Sequence, residues 1–466
     1  MTANGHRRDG WLFATLAAVT VVTAIVSSLG APLVPSIAAD HGVSLATAQW
    51  ALTSTLIAAA AATPALGRWG SGRLRRPVVL SGLGVVLLGC LLAAVAEQVS
   101  GMGVLIAGRA LQGVGLAIPP LALAVARDAW SGERLVSRLS LLSVATVAGA
   151  GLGYPVAGVL AEVSGVAGAY LAGAAMVTIA LALGWRHLPH DAEGEPQAVD
   201  LWGVGLVGLG LVGALLAVSQ GSAWGWTSAP VLGLAGGGVA LLLWWGARSI
   251  RLTRRGRQPL VDLVLAARPA LLRIHLFTVM IATAMYTLLT LVVLLVRGNG
   301  DAGWGLDRGA TSAGLVLVPY ALLSIAGSRV ALRIARRSGP RVLLPLGGAV
   351  FASSLVLLAL AHGTFWQALV VMAIGGIGSG FTFSSLPMLM VPHVPRSETG
   401  SALGFNQLMR YTGFAIGSAI TIALVEAYGG DEAAFRWTAL TLAALCLASA
   451  VAVTTGGSER VSRQRT

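Results

Sequence analysis

Fourteen stretches of about 20 mostly apolar residues follow one another along this chain, and a helix needs about that length to cross the hydrocarbon core of a bilayer. They lie at 12–37, 46–66, 77–96, 102–124, 138–161, 167–185, 201–219, 229–247, 271–296, 311–333, 341–361, 365–388, 402–425 and 435–455, and are numbered here as spans 1 to 14. In lipid every backbone N–H and C=O must be bonded internally, so such stretches fold as helices. Together they use about 280 of the 466 residues, which leaves no room for a soluble catalytic domain. Composition agrees. The chain is 56% hydrophobic and 11% charged, whereas about a quarter of a soluble domain is charged. The expected fold class is an all-α polytopic membrane protein.

The net charge of +13 comes entirely from arginine, because the sequence has no lysine. The arginines sit in short clusters between apolar runs, not on one soluble face, so they exclude a nucleic-acid surface and act as topology signals. Arg7 and Arg8, Arg68 to Arg76, Arg127 to Arg138, Arg186, Arg248 to Arg273, Arg329 to Arg341, Arg396 and Arg460 to Arg465 occupy every second loop. The opposite side carries only Arg297, Arg308 and Arg436, together with Asp40, Glu97, Glu162, Asp301 and Asp431. Both termini are therefore expected on the cytoplasmic side of the plasma membrane. Merging spans 7 and 8 into a twelve-span reading keeps this sidedness, but the lengths favour fourteen. Arg7, Arg8 and the apolar run before Ser36 imitate a cleavable signal, yet that run of about 26 residues exceeds the usual 7 to 15, so an uncleaved first span is expected. Cys90 and Cys446 lie in apolar runs without motif spacing and suggest neither a disulfide nor a metal site. No cofactor is expected.

The two halves align on each other at an offset of about 264 residues. The loop 67–76 lies against 332–341, Gly113 and Gly115 in span 4 against Gly376 and Gly378 in span 12, and Gly149 and Gly153 in span 5 against Gly413 and Gly417 in span 13. Parallel repeats of this kind build transporters whose site lies at the membrane midplane. The expected division is a six-helix bundle in 1–190, two inserted helices in 191–250 and a second six-helix bundle in 251–466.

Several motifs carry a resemblance. Span 1 exits through Pro35-Ser36-Ile37-Ala38-Ala39-Asp40 toward Gln49-Trp50; span 4 reads Arg109-Ala110-Leu111-Gln112-Gly113-Val114-Gly115; span 5 reads Gly149-Ala150-Gly151-Leu152-Gly153-Tyr154-Pro155-Val156-Ala157-Gly158. The inserted pair begins Val199-Asp200-Leu201-Trp202-Gly203 and ends Pro259-Leu260-Val261-Asp262. Over nearly its whole length the chain resembles the major facilitator superfamily, specifically its fourteen-span drug:proton antiporter branch. That resemblance implies a monomer with a small-molecule substrate, alternating access and exchange for protons. It also makes Gly149, Gly153, Pro155 and Gly158 a gating row and Arg68, Arg75 and Arg76 part of a cytoplasmic latch. Three positions, in two places, depart from the pattern. Ser71 and Leu74 stand where the span 2–3 loop of the family has aspartate and glycine, and Val26 stands where the branch commonly has an aspartate in span 1.

An ionisable residue at membrane depth is costly and marks function by default. Arg109 qualifies, with Gln112 on the same helical face at i+3; it reads as a cavity cation tuning coupling or, alternatively, as a residue that snorkels or ties loops. Arg410 in span 13 shares a polar stripe with Asn406 and Gln407 and reads equally as inter-helix glue or as substrate contact. Ser27, Ser28, Tyr286, Thr287 and Tyr320 complete the candidate cavity lining, although a hydroxyl in a span more often bonds its own helix. Trp50, Trp224, Trp226 and Trp304 read as interfacial belt residues. Glu398 reads as an acid at the start of span 13, which the helix dipole favours without any function. His275 reads as lying at the cytoplasmic end of span 9.

All eighteen acids fall at span ends or in loops, so no proton carrier is visible at the midplane. An exporter of organic cations needs a cavity carboxylate; two cavity arginines suit neutral, zwitterionic or anionic substrates instead. The reading is a proton-driven exporter of small amphipathic compounds, with a facilitator or specific exporter lacking tight proton coupling as the alternative. An enzyme or receptor is disfavoured, since paired carboxylates at membrane depth, metal-ligand spacing and a phosphate-cradling loop are all missing from the sequence.

Overall fold

The structure is a computed structural model that describes every residue except 1, 2, 44, 49, 71, 97, 98, 100, 191–199, 299–302 and 464–466. Side chains are likewise left out at 3–8, 31, 32, 34, 35, 45, 46, 72, 147, 162, 219, 222, 223, 310, 418, 419, 422 and 453–463. The expectations for Arg7, Arg8, Pro35, Gln49, Ser71, Glu97, Glu162, Val199, Asp301 and the C-terminal arginines lie outside what is described.

All regular structure among the described residues is helical. Thirteen helices are long and apolar enough to cross a bilayer, and they coincide with spans 1 to 12 and 14. The stretch expected as span 13 lies in the helix Thr399–Ala427, whose 29 residues are about 43 Å long and so could cross. Residues 418, 419 and 422 within it lie outside what is described, so it is not counted among the thirteen.

Three expected boundaries are redrawn. Span 1 is not one helix: Ala3–Ser28 stops, Leu29 turns, and Gly30–Asp40 continues. Span 4 runs as Met102–Gly113, a 3-10 turn at Val114–Ala117 and Pro119–Ala129. Pro119 and Pro120 lack N–H donors, so the turn before them cannot close in the α pattern. Spans 5 and 6 are two helices that follow one another within Gly132–His187 without a loop, divided by a sharp kink at Gly165. Gly165 has φ +70, a left-handed conformation that glycine adopts without steric cost.

The helices gather into two compact units, Met1–Ala267 with Val394–Leu408, and Arg268–His393 with Met409–Thr466. Within each, glycines let backbones approach. A Cβ built on Gly89 of span 3 would lie 2.6 Å from the carbonyl oxygen of Gly108 in span 4. A Cβ on Gly378 of span 12 would lie 2.7 Å from the backbone nitrogen of Phe351 in span 11. Small residues at helix contacts substitute for the hydrophobic drive that lipid removes. Large apolar side chains such as Leu171, Ile179, Trp202, Leu243 and Trp366 point outward, as a lipid-facing surface requires.

Candidate functional site

Arg109 is fully buried, with 0% exposure, so it does not snorkel. Its position follows from the break in span 1. The last turn of the helix Ala3–Ser28 has carbonyls without helical partners, and Arg109 Nη1 donates to Val26 O at 3.2 Å while Nη2 donates to Ser27 O at 2.8 Å. Nε donates to Ala51 O of span 2 at 3.1 Å, and Nη1 also reaches Gln112 Oε1. Gln112 Nε2 in turn donates to Gly89 O of span 3 at 3.2 Å. One guanidinium thus joins spans 1, 2 and 4, and Gln112 extends the network to span 3. All of these acceptors are neutral. Val26, standing where the branch has an aspartate, contributes its main-chain carbonyl. Gly30 supplies the space: a Cβ there would lie 2.6 Å from Arg109 Nη2.

Ser27 Oγ donates to Thr23 O at 2.8 Å and Ser28 Oγ to Ala24 O at 3.0 Å, so both hydroxyls bond their own helix. Gly149 and Gly153 pack on the same span. A Cβ on Gly149 would lie 2.9 Å from Val21 O, and one on Gly153 2.7 Å from Ser28 Cβ. The second unit repeats the arrangement, with Gly413 against Val279 O and Gly417 against Thr283 O and Tyr286 of span 9. Pro155 follows in the same helix, where its missing donor favours a bend. Gly158 differs, because a Cβ there meets nothing within 4 Å. Gly158→Ala should therefore leave stability within about 0.5 kcal/mol of the parent, whereas Gly153→Ala should cost about 1–3 kcal/mol through overpacking. Thermal unfolding of the two purified variants checks the contrast; equal losses would remove the packing role from Gly153.

At the C-terminal end of span 2, Arg68 is 1% exposed and donates through Nη1 to both carboxylate oxygens of Glu398 at 2.7 Å. Its Nη2 donates to Gln258 Oε1 at 3.0 Å. Arg127 donates to Val394 O at 2.8 Å, to Pro395 O at 3.3 Å and to the Thr399 hydroxyl. Gly67 and Gly400 meet backbone to backbone: a Cβ on Gly400 would lie 2.8 Å from Gly67 O. These contacts hold Val394–Leu408 in the first unit. Arg75 pairs with Asp128 and donates to Gly70 O at 3.0 Å, while Arg76 donates to Trp185 O at 2.6 Å. The aspartate expected at position 71 is thus not the acid that these arginines use. Asp128 and Glu398 fill that part, and Glu398 is no mere helix-end acid. Sequence reading had placed it correctly but missed its partner, which lies 330 residues away.

In the second unit Arg410 is 6% exposed, its guanidinium carbon lies 4.4 Å from the centroid of the Phe383 ring, and its Nε has no hydrogen-bond partner. Tyr320 on span 10 lies within electrostatic range of it. The hydroxyls of Tyr320, Ser324 and Ser379 are buried; those of Tyr320 and Ser379 are near enough to interact with one another, and that of Ser324 has no partner. Thr287 Oγ1 donates to Gly417 O at 3.4 Å, and the half-buried Tyr286 ring lies 5.7 Å from that of Phe414. Asn406 is buried in the first unit and Arg410 in the second, although both belong to one helix. His275 lies in the second turn of the helix Pro269–Arg297 and is buried. Trp304 is half-buried, its ring tilted on that of Phe435 with centroids 4.7 Å apart and its Nε1 donating to Gly430 O. Among the described residues the acids sit at helix ends or in loops: Asp200 with Arg248 at 2.8 Å, Asp262 capping Leu263–Ala266, and Glu432 with His362 at 3.2 Å.

A sequence profile described as Major Facilitator Superfamily matches residues 16–418 and, a second time, 309–464. A Streptomyces coelicolor protein named "Probable actinorhodin transporter" is 27% identical over 253 residues, 53% of this chain and 42% of that protein. A Streptomyces rimosus protein named "Tetracycline resistance determinant" is 27% identical over 233 residues, 49% of this chain and 64% of that one. The aligned stretch is thus less than two thirds of the length of either relative. Among solved structures, the human organic anion transporter MFSD10 (TETRAN) superposes with a TM-score of 0.68 at 12% identity, over 95% of this chain and 99% of that one. The proton:xylose symporter XylE does so with a TM-score of 0.64, again at 12% identity, over 95% and 94%. Likeness at these identities shows a shared fold.

Proposed function

Because this chain belongs to the Major Facilitator Superfamily, and is therefore a transporter and not an enzyme, we propose that it exports small amphipathic compounds across the plasma membrane by alternating access. The observation that carries the direction of transport is the pair of Streptomyces relatives named for actinorhodin transport and tetracycline resistance. Both termini lie in the cytoplasm, the protein works as a monomer, and two six-helix bundles rock about the substrate with the inserted pair 191–250 between them. Energy comes from exchange for protons.

The residues divide by what they touch. Arg109 and Gln112 have their polar atoms committed to the protein and serve as a rigid clamp on spans 1 to 4, not as a ligand. Tyr286, Thr287, Tyr320, Asn406 and Arg410 line the substrate path, with Ser27 and Ser28 at its edge. Gly149, Gly153, Pro155 and Gly158 form the flexible seal. Arg68 with Glu398, supported by Arg75 and Arg76, is the cytoplasmic latch, and Val394–Leu408 leaves and rejoins the first unit in each cycle. Ion pairs suit that task, because a charge pair broken in one state can be rehydrated at a membrane surface at modest cost.

A second reading, export without proton coupling, is favoured by one observation: among the described residues no carboxylate lies mid-span. The deciding experiment measures accumulation of cationic, neutral and anionic fluorescent compounds in an efflux-deficient bacterial host, with surface expression checked. Lowered accumulation that a protonophore abolishes supports the proton-driven form. Lowered accumulation that survives the protonophore supports the second, and unchanged accumulation of every compound overturns export.

A further inference from the structure

The two buried arginines of the spans differ in one respect. Arg109 has its guanidinium shared among three main-chain carbonyls and a side-chain amide. Arg410 is also buried, at 6% exposure, but it lies on the face of Phe383 and its Nε is orphaned. A buried guanidinium N–H without an acceptor is unfavourable, and an aromatic face compensates only part of that cost. Inter-helix glue would need a partner that Arg410 Nε lacks.

The surroundings are donors too. Tyr320 and Ser324 lie one turn apart on span 10, as do Ser379 and Phe383 on span 12, so each pair shares a helical face. The spans are brought to one level by Gly376, whose Cβ would strike Tyr320 O, and by Gly380, whose Cβ would strike Ser324 O. Three buried hydroxyls thus occupy this contact: Tyr320 and Ser379 face one another across spans 10 and 12, and Ser324, one turn along span 10, has no partner. Buried polar groups are almost always hydrogen-bonded, and a cluster left open needs an explanation. Repeat packing does not supply one. At the offsets that align these spans, 265 in span 10 and 263 in span 12, the counterparts of Tyr320, Ser324, Ser379 and Phe383 are Thr55, Ala59, Leu116 and Pro120, and in span 13 Arg410 faces Thr146.

We propose that Arg410, Tyr320, Ser324 and Ser379 form an oxyanion subsite that takes the carboxylate of the exported compound, with Phe383 holding the guanidinium plane. The guanidinium offers paired N–H donors that match a carboxylate, and the hydroxyls supply further donors. This deepens the export reading and rests on it for what the site carries. It commits the substrate class to organic anions with an apolar body.

The test uses the purified full chain and two probes of equal size, 1-pyrenebutyrate and its uncharged methyl ester. Binding is read by fluorescence titration in detergent, and transport separately in proteoliposomes. The wild type should bind the carboxylate more tightly than the ester. Arg410→Gln should weaken carboxylate binding about 10- to 100-fold, as loss of a charge-assisted hydrogen bond does, while leaving the ester within about twofold. Arg410→Lys should recover part of the loss, and Tyr320→Phe and Ser379→Ala should each weaken the carboxylate alone, about 3- to 10-fold. If Arg410→Gln does not fold, these milder variants carry the test. Equal binding of the two probes, binding of neither, or equal weakening of both by the variants overturns the subsite. Selective carboxylate binding without transport leaves the subsite standing and defeats the export reading; transport with equal weakening of both probes does the reverse.

Discussion

Arg109→Met should lower folding stability by about 3–5 kcal/mol, the largest loss expected from any single substitution in the spans. The substitution removes the donor from the carbonyls of Val26, Ser27 and Ala51 and from Gln112 Oε1 together, all in a dry interior. Val26 O keeps the Leu29 N–H and Ala51 O keeps the Thr55 hydroxyl, so the loss falls mainly on Ser27 O and Gln112 Oε1, at about 1–3 kcal/mol for each acceptor left unsatisfied. Arg109→Lys should recover less than half, because an ammonium lacks the fork that reaches two neighbouring spans at once. Thermal unfolding of the purified variants, with the yield of folded protein, measures both. A methionine variant as stable as the parent but unable to transport would make Arg109 a substrate or coupling residue and remove the clamp.

Arg68 and Glu398 should show the second large effect. Arg68 is buried and Glu398 mostly so, and removal of one partner leaves the other charge desolvated and uncompensated. Arg68→Ala and Glu398→Ala should each cost about 3 kcal/mol, but the double variant should cost about 2 kcal/mol less than their sum. The same cycle applied to transport should show both single variants slowed, since the segment Val394–Leu408 would no longer re-engage the first unit. Strictly additive stability losses would mean that the pair is not energetically coupled, and the latch would have to be sought at Arg75 with Asp128.

Much of this architecture is legible in the sequence, for a physical reason. An apolar run of about 20 residues has few alternatives to a membrane helix, and twelve spans from the N-terminus plus the last one emerge where the runs lie. Boundaries set by backbone conformation are not legible in that way. Nothing in Val163-Ser164-Gly165-Val166 announces that one residue, and not a loop, divides the two helices, because the deciding quantity is a positive φ at one glycine. Candidate residues follow the same rule. Arg109 and Arg410 stand out because charge inside an apolar run is expensive. The partners of Arg109 do not, since its main acceptors are backbone carbonyls, which every residue possesses. Ser324, Ser379 and Phe383 escaped notice because hydroxyls and rings are ordinary in spans; only the orphaned state of Ser324, and the contacts of Ser379 with Tyr320 and of the ring with Arg410, distinguish them. The pairing of Arg68 with Glu398 depends on packing between distant segments, for which one sequence carries no signal.

Reconstitution tests the central claim, export by this chain, most directly. Purified protein in proteoliposomes, oriented by protease accessibility of the cytoplasmic loops, is loaded with a fluorescent amphipathic compound, and movement toward the periplasmic face is followed with and without an imposed pH gradient. The account predicts protein-dependent movement against the compound's own gradient when the periplasmic side is acid, collapsing when a protonophore is added. Flux no greater than that of protein-free liposomes, under either condition and for anionic as well as neutral compounds, would contradict it.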